Sequence, residues 1–234
     1  MSYTNYSPSS VYAAPVESRI SFIRKTYLHL TGAVALFTLV SAMMYTAGVG
    51  EKILSFMTQG TFAWIILLIV FIGASSVAQG MARAGGSSGL AYLGLGLFAV
   101  VEALIFAPMF FIAAHYFPGV LPNATIITLT TFVGLTGYVL IYNKDFSFLG
   151  AGLAIALMVA LGILVVGMLF GFNLGVWYSG LVIAIACGYI LYDTSNVMRN
   201  FGPNQYVFAA LQLFSSLALL FMYVIRILMQ LQRR

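Results

Sequence analysis

The sequence predicts an all-α polytopic membrane protein, a bundle of seven transmembrane helices, on three observations. Hydrophobic residues make up 62% of the chain against 6% charged, with a mean hydropathy of +1.04, too little polar surface for a water-soluble domain of 234 residues. The apolar residues come in continuous runs of about 20, the length that crosses a bilayer as a helix. Those runs lack the period-two alternation of a membrane β-barrel.

Taken in order, residues 1–21 read as a polar, Ser- and Tyr-rich tail with Pro8 and Pro15, expected to be disordered and cytoplasmic; residues 22–234 form the seven-helix domain. The polar stretch ahead of the first apolar run does not read as a cleaved signal. Arg24 and Lys25 stand before the first span, about Thr26 to Ala47. A glycine-containing loop with Glu51 and Lys52 leads to the second, about Phe62 to Ala82, closed by Arg83. Residues 84–89 read as a flexible connector. The third span, about Leu90 to His115, holds Glu102 and Pro108. The fourth, about Ala124 to Tyr142, stops at Asn143-Lys144-Asp145-Phe146-Ser147, where Asp145 or Ser147 is expected to cap the fifth. The fifth ends near Phe170, and residues 171–175 turn the chain. The sixth covers Val176 to about Asn196, followed by a short polar turn holding Arg199, and the seventh Tyr206 to about Met229. Small residues within the spans permit close helix approach in lipid.

The formal net charge is +5, but the cations sit at helix ends and tails. That placement describes topology and headgroup contact, with no basic patch for nucleic acid. With the N-terminus inside, Arg19, Arg24, Lys25, Arg83, Lys144 and Arg199 are cytoplasmic, and the outer loops carry only Lys52. Seven full spans then put Arg233 and Arg234 outside, against the rule, so either the tail is tolerated there or one apolar segment does not cross fully. The single cysteine, Cys187, excludes a disulfide framework and a Cys-based metal site. His29 and His115 have no metal-ligand spacing, so no metal or cofactor is expected. There is no HExxH, no P-loop and no ordered Ser/His/Asp grouping, and no span contains a lysine for a retinal Schiff base. The expectation is a non-enzyme whose first partner is the lipid bilayer.

Ionisable residues inside spans are the candidates for function. Asp193, in a chain with five acidic residues, ends the sixth span. Arg83 ends the second at the same cytoplasmic depth, so an Asp–Arg contact there would latch two helices; alternatively Asp193 caps the following turn. Glu102 falls about 18 Å into the third span at 1.5 Å per residue. An ionised carboxylate at such depth costs about 2.5 to 3.5 kcal/mol on insertion scales. It is therefore expected to face the bundle interior, either lining a polar path with the carbonyl freed by Pro108 or serving as neutral helix glue. Gln212 and Ser216, four apart on the seventh span, share one face as pathway lining or packing glue.

Two segments resemble a known family. Lys144-Asp145-Phe146-Ser147-Phe148-Leu149-Gly150 is similar to the Lys-Asp-x-Ser-x-x-Gly signature of the Bax-inhibitor family, and Tyr192-Asp193-Thr194 to its Tyr-Asp-Thr signature. Arg226 matches an arginine late in the seventh helix. The resemblance covers about Arg24 to Arg226 and implies a seven-helix bundle with the last helix central. It also implies a pH-sensitive calcium leak through a hydrogen-bonded pair of aspartates, latched by an arginine ending the second helix. Asp193 and Arg83 occupy two of those places; the second aspartate is replaced by Ser216. Thr194-Ser195-Asn196 and Arg24-Lys25-Thr26-Tyr27 resemble a bacterial branch that binds and restrains a membrane-anchored AAA protease, with the N-terminal tail implicated.

Two functions follow as expectations for a multi-pass protein of the bacterial cytoplasmic membrane. The first is a slow, proton-modulated calcium leak, with Asp193 as gate, Arg83 as latch, and Glu102, Ser216 and Gln212 lining the path. The second is a non-conducting regulator of membrane-protein quality control that contacts the protease through its tail.

Overall fold

The computed structural model describes residues 10–84, 89–172 and 174–233, and these form eight α-helices and no strand. Seven are long and apolar enough to cross a membrane: α1 (Val16–Thr46), α3 (Thr61–Ala84), α4 (Gly89–Tyr116), α5 (Val120–Tyr142), α6 (Leu149–Phe170), α7 (Gly175–Asn200) and α8 (Tyr206–Gln232). The disorder expected of residues 1–9 and the flexible connector expected at 85–88 lie outside the described residues.

Three differences from expectation bear on the ends of the bundle. Part of the tail expected to be disordered is structured: α1 begins at Val16, directly after Pro15, a position where the missing N–H leaves no helical bond unmade. Ahead of it Val11 is fully buried, and its N–H donates to the Phe201 carbonyl at 2.8 Å. The loop expected around Glu51 and Lys52 is a short helix, α2 (Val49–Met57). Gly48, at φ +69°, reverses the chain into it, and Gly50 lies so close to the Ala107 backbone and Phe111 of α4 that a Cβ would not fit. Two glycines and two charges in so short a stretch read as loop; only contact with α4 makes it a helix. Lastly, α7 continues to Asn200, so Arg199 lies in its final turn and not in a connecting turn.

The crossings define two faces. The near face carries the starts of α1, α4, α6 and α8; Tyr92 and Tyr206 meet there through their hydroxyls at 3.1 Å, and both rings flank His29. On the far face the Arg233 guanidinium lies over Phe117 at 5.3 Å. Arg19, Arg24, Lys25, Arg83, Lys144 and Arg199 belong to the near face, and Lys52, Arg226 and Arg233 to the far one.

α8 is the most enclosed span: 72% of its most apolar stretch is buried, against 11–44% in the others, and it packs on α1, α3, α4, α5 and α7. In lipid, interdigitation replaces the aqueous hydrophobic effect as the source of helix association. Phe37 of α1, Phe98 and Phe106 of α4 and Phe214 and Phe221 of α8 interlock with ring centroids 5.1–5.9 Å apart, mostly edge to face. Gly94 brings α4 onto α3 so closely that a Cβ would lie 2.6 Å from the Ala78 carbonyl oxygen and the Ala82 nitrogen. α6 packs on α7 and is the least buried span. The cap expected for α6 takes another form. Asp145 Oδ1 accepts from the Ser147 N–H at 2.9 Å and hydroxyl at 2.6 Å, closing an Asx-turn before the helix, and Phe148 at its N-cap position makes no side-chain cap.

Candidate functional site

Asp193 is 6% exposed and lies seven residues inside the near-face end of α7, about 10 Å at the helical rise. The sequence places it at the end of its span because Thr194, Ser195 and Asn196 look like a terminus. Their structural roles differ. The Thr194 hydroxyl donates back to the Ile190 carbonyl at 2.7 Å, and Ser195 Oγ accepts from the Phe146 N–H at 3.0 Å, so both polar side chains are absorbed by backbone. The hydroxyl of Ser216 on α8, 4% exposed, donates to Asp193 Oδ2. This bond ties α7 to α8 within the apolar interior. One turn nearer the near face, Gln212 has its Oε1 buried without a hydrogen-bond partner among the described residues.

Glu102 is also 6% exposed and makes no hydrogen bond or ion pair among the described residues. Phe98, Glu102 and Phe106 are four apart on one face of α4. Phe98 meets Phe214 and Phe106 meets Phe221, both on α8. Interpolation puts Glu102 level with about Leu217–Ala218, within a turn of Ser216 in depth. The two phenylalanines of α8 and Ser216 point to different sides of that helix, so α8 stands between Glu102 and Asp193. The structure thus gives Asp193 a serine partner and leaves Glu102 on the far side of the same helix.

Arg83 is not brought to Asp193. It lies in the last turn of α3, its guanidinium 5.1 Å from the centroid of the Phe208 ring on α8. The separation follows from depth: Arg83 ends its helix, whereas Asp193 is about two turns inside its own. The ion pair among the described residues lies elsewhere, between Arg199 Nε and Asp145 Oδ1 at 3.6 Å. Arg199 also donates to the Asn143 carbonyl at 3.1 Å and covers the Tyr12 ring at 5.0 Å. Partial burial opposes ionisation of Asp145. The two Ser147 bonds, the Arg199 charge and the Ser195 hydroxyl outweigh it and hold the carboxyl below the usual aspartate value. In the sequence Asp145 reads as a cap and Arg199 as a turn residue, and a spacing of 54 positions carries no signal that they pair.

Buried acids on two helices packed against an enclosed third define the class: a seven-span α-helical membrane protein with two interior carboxyl groups that make no ion pair among the described residues. The chain belongs to the family described as Inhibitor of apoptosis-promoting Bax1, which matches residues 19–233. It is 30% identical to protein lifeguard 4 of Mus musculus over 94% of this chain and 89% of that protein. It is 29% identical to Bax inhibitor 1 of Schizosaccharomyces pombe, over 92% and 78% respectively. A Golgi anti-apoptotic protein of Vaccinia virus is 30% identical over 94% of this chain and 90% of its own length. No solved structure matches the chain.

Proposed function

We propose that the chain is a slow, proton-modulated leak for cations, calcium among them, in the bacterial cytoplasmic membrane, with the near face and N-terminus cytoplasmic. It acts without catalysis or cofactor. The observation that carries this reading is the burial of Asp193 and Glu102 within a turn of one depth on either side of α8, with neither ion-paired among the described residues. Carboxyl groups kept in an apolar interior need a partner, water or a proton, and intramembrane acids mark ion and proton paths. Carboxylate, hydroxyl and amide oxygens are the ligands a hard cation prefers; Asp193, Ser216 and Gln212 supply them on one side of α8, and Glu102 on the other.

With α8 as the hub, the Asp193–Ser216 bond is the closing element. While Asp193 is ionised, the Ser216 hydroxyl donates a charge-assisted bond that holds α7 on α8. Protonation removes that charge, weakens the tie and lets α7 separate from α8. Ser216 has no carboxyl to share the proton, so a single titration governs the step. Arg83 acts at the near-face mouth, through Phe208. Calcium uptake into proteoliposomes between pH 6 and 8 tests the reading. The wild type is expected to show pH-dependent flux and Asp193→Asn a pH-independent one; identical profiles overturn the gate.

A second reading, restraint of a membrane-anchored AAA protease through the tail, draws support from the docking of Val11 and Tyr12 on the near-face end of α7. Turnover of a protease substrate after deletion of residues 1–21 separates the two, since the leak reading expects no change.

A further inference from the structure

α8 is buried on nearly every side, but Gln212, Ser215, Leu219, Met222 and Arg226 are each only half-buried. Their spacings of three and four place them in one stripe along the helix. Phe208, one step nearer the near face on the same stripe, is covered by Arg83 of α3. Beyond Phe208 the stripe has α7 along one edge, where Ser216 meets Asp193 and Arg226 covers Tyr178. Neither α3 nor α4 makes a packed interface with α7. The stripe is therefore the floor of a cleft that opens to the bilayer.

At the far-face end of this cleft sits a cation without an anion. The Arg226 guanidinium lies 5.6 Å from the Tyr178 centroid and 5.8 Å from that of Tyr223, and makes no ion pair among the described residues. Two aromatic faces offset part of the desolvation of a guanidinium but do not neutralise it. Trp177, next to Tyr178, is 89% exposed, which fits the interfacial belt of a membrane protein. Arg226 is thus at headgroup depth, and Met222 and Leu219 continue the floor below it toward the membrane centre.

We infer that this cleft holds one anionic phospholipid of the far leaflet. The phosphate takes a charge-assisted, bidentate bond from Arg226, and an acyl chain lies along Met222 and Leu219. The charge of Arg226 selects the headgroup, and the apolar floor distinguishes a lipid from free phosphate.

Native mass spectrometry of the full-length chain titrated with phosphatidylglycerol tests this assignment. Arg226→Gln is expected to weaken the tightest-bound lipid about fivefold, the effect of one interfacial cation on an anionic headgroup. Arg226→Lys, which keeps the charge but not the bidentate fork, is expected to lose less than Arg226→Gln, and the far-face control Lys52→Gln is expected to retain it. If Arg226→Gln does not fold, Met222→Trp decides: it fills the floor and leaves the charge, and the same loss is expected. Equal affinity in wild type and Arg226→Gln overturns the proposal. So does an equal drop in Lys52→Gln, or displacement of the lipid by inorganic phosphate alone. Unchanged affinity in Met222→Trp overturns the acyl seat and the assignment with it.

Discussion

Removing the Ser216 hydroxyl tests whether the buried acid is held by one bond. Ser216→Ala leaves the Asp193 carboxyl, 6% exposed, with no hydrogen-bond donor among the described residues. A bond to a charged group is worth about 1.5 to 3 kcal/mol in soluble proteins. Interhelical bonds in membranes run lower, about 0.6 kcal/mol on average and 1.7 at most in double-mutant cycles, because the unfolded chain in lipid also finds partners. With Asp193 ionised, the charge on the acceptor places this pair near the upper end, so a coupling of about 1 to 2 kcal/mol is expected between Asp193→Asn and Ser216→Ala. The assay is reversible unfolding in mixed micelles of wild type, both single variants and the double variant. At the upper figure the folded-to-unfolded ratio changes more than tenfold beyond the sum of the single effects. Additivity within about 0.5 kcal/mol, the usual result for independent sites, would refute the claim that this bond ties α7 to α8.

Other perturbations bear on the packing and on the near face. Gly94→Ala drives a methyl into the Ala78 and Ala82 backbone and is expected to destabilise by about 1 to 3 kcal/mol, as overpacking does. Gly96→Ala, whose Cβ meets only the Leu36 side chain at 3.9 Å, should leave the melting temperature in detergent nearly unchanged. Asp145 has a lowered value in the folded chain, so its stabilising contribution is complete above the ordinary aspartate pKa of about 3.9. It is lost as pH falls through the lowered value. Acid melts of the wild type should therefore lose more stability below about pH 4 than those of Asp145→Asn, and parallel curves would contradict this. Val11→Asp puts a charge at a fully buried position and should free the N-terminal segment. Hydrogen exchange would then quicken over residues 10–25 with the amides of α8 unchanged.

The spans were legible because lipid imposes a simple rule, a long apolar run, on every one of them. Helix α2 was not, since its glycines and charges speak for a turn, and only the backbone of α4 supplies the surface against which Gly50 fits. Among the site residues, the burial of Glu102 and Asp193 could be foreseen, because carboxyl groups within apolar runs have few tolerable directions to face. Which side chain meets which could not. Asp193 and Arg83 both appeared to end their helices, and the assumption of common depth failed when α7 continued past the polar residues Thr194–Asn196. The pairing of Asp145 with Arg199 depends on how the turn after α5 folds over the end of α7, and nothing in local pattern encodes that. The position of Ser216 against Asp193 became visible only through the resemblance, which singled out that place on the last helix.

The most enclosed helix is also the last of the seven spans to leave the ribosome. Until residues 206–232 are synthesised, the faces of α1, α4, α5 and α7 that will cover α8 have nothing to close upon, and two acids wait in the bilayer beside an unfilled centre. A nascent chain stopped before this point has six crossings but no keystone. Truncation just before α8 should therefore be as damaging as truncation early in the bundle.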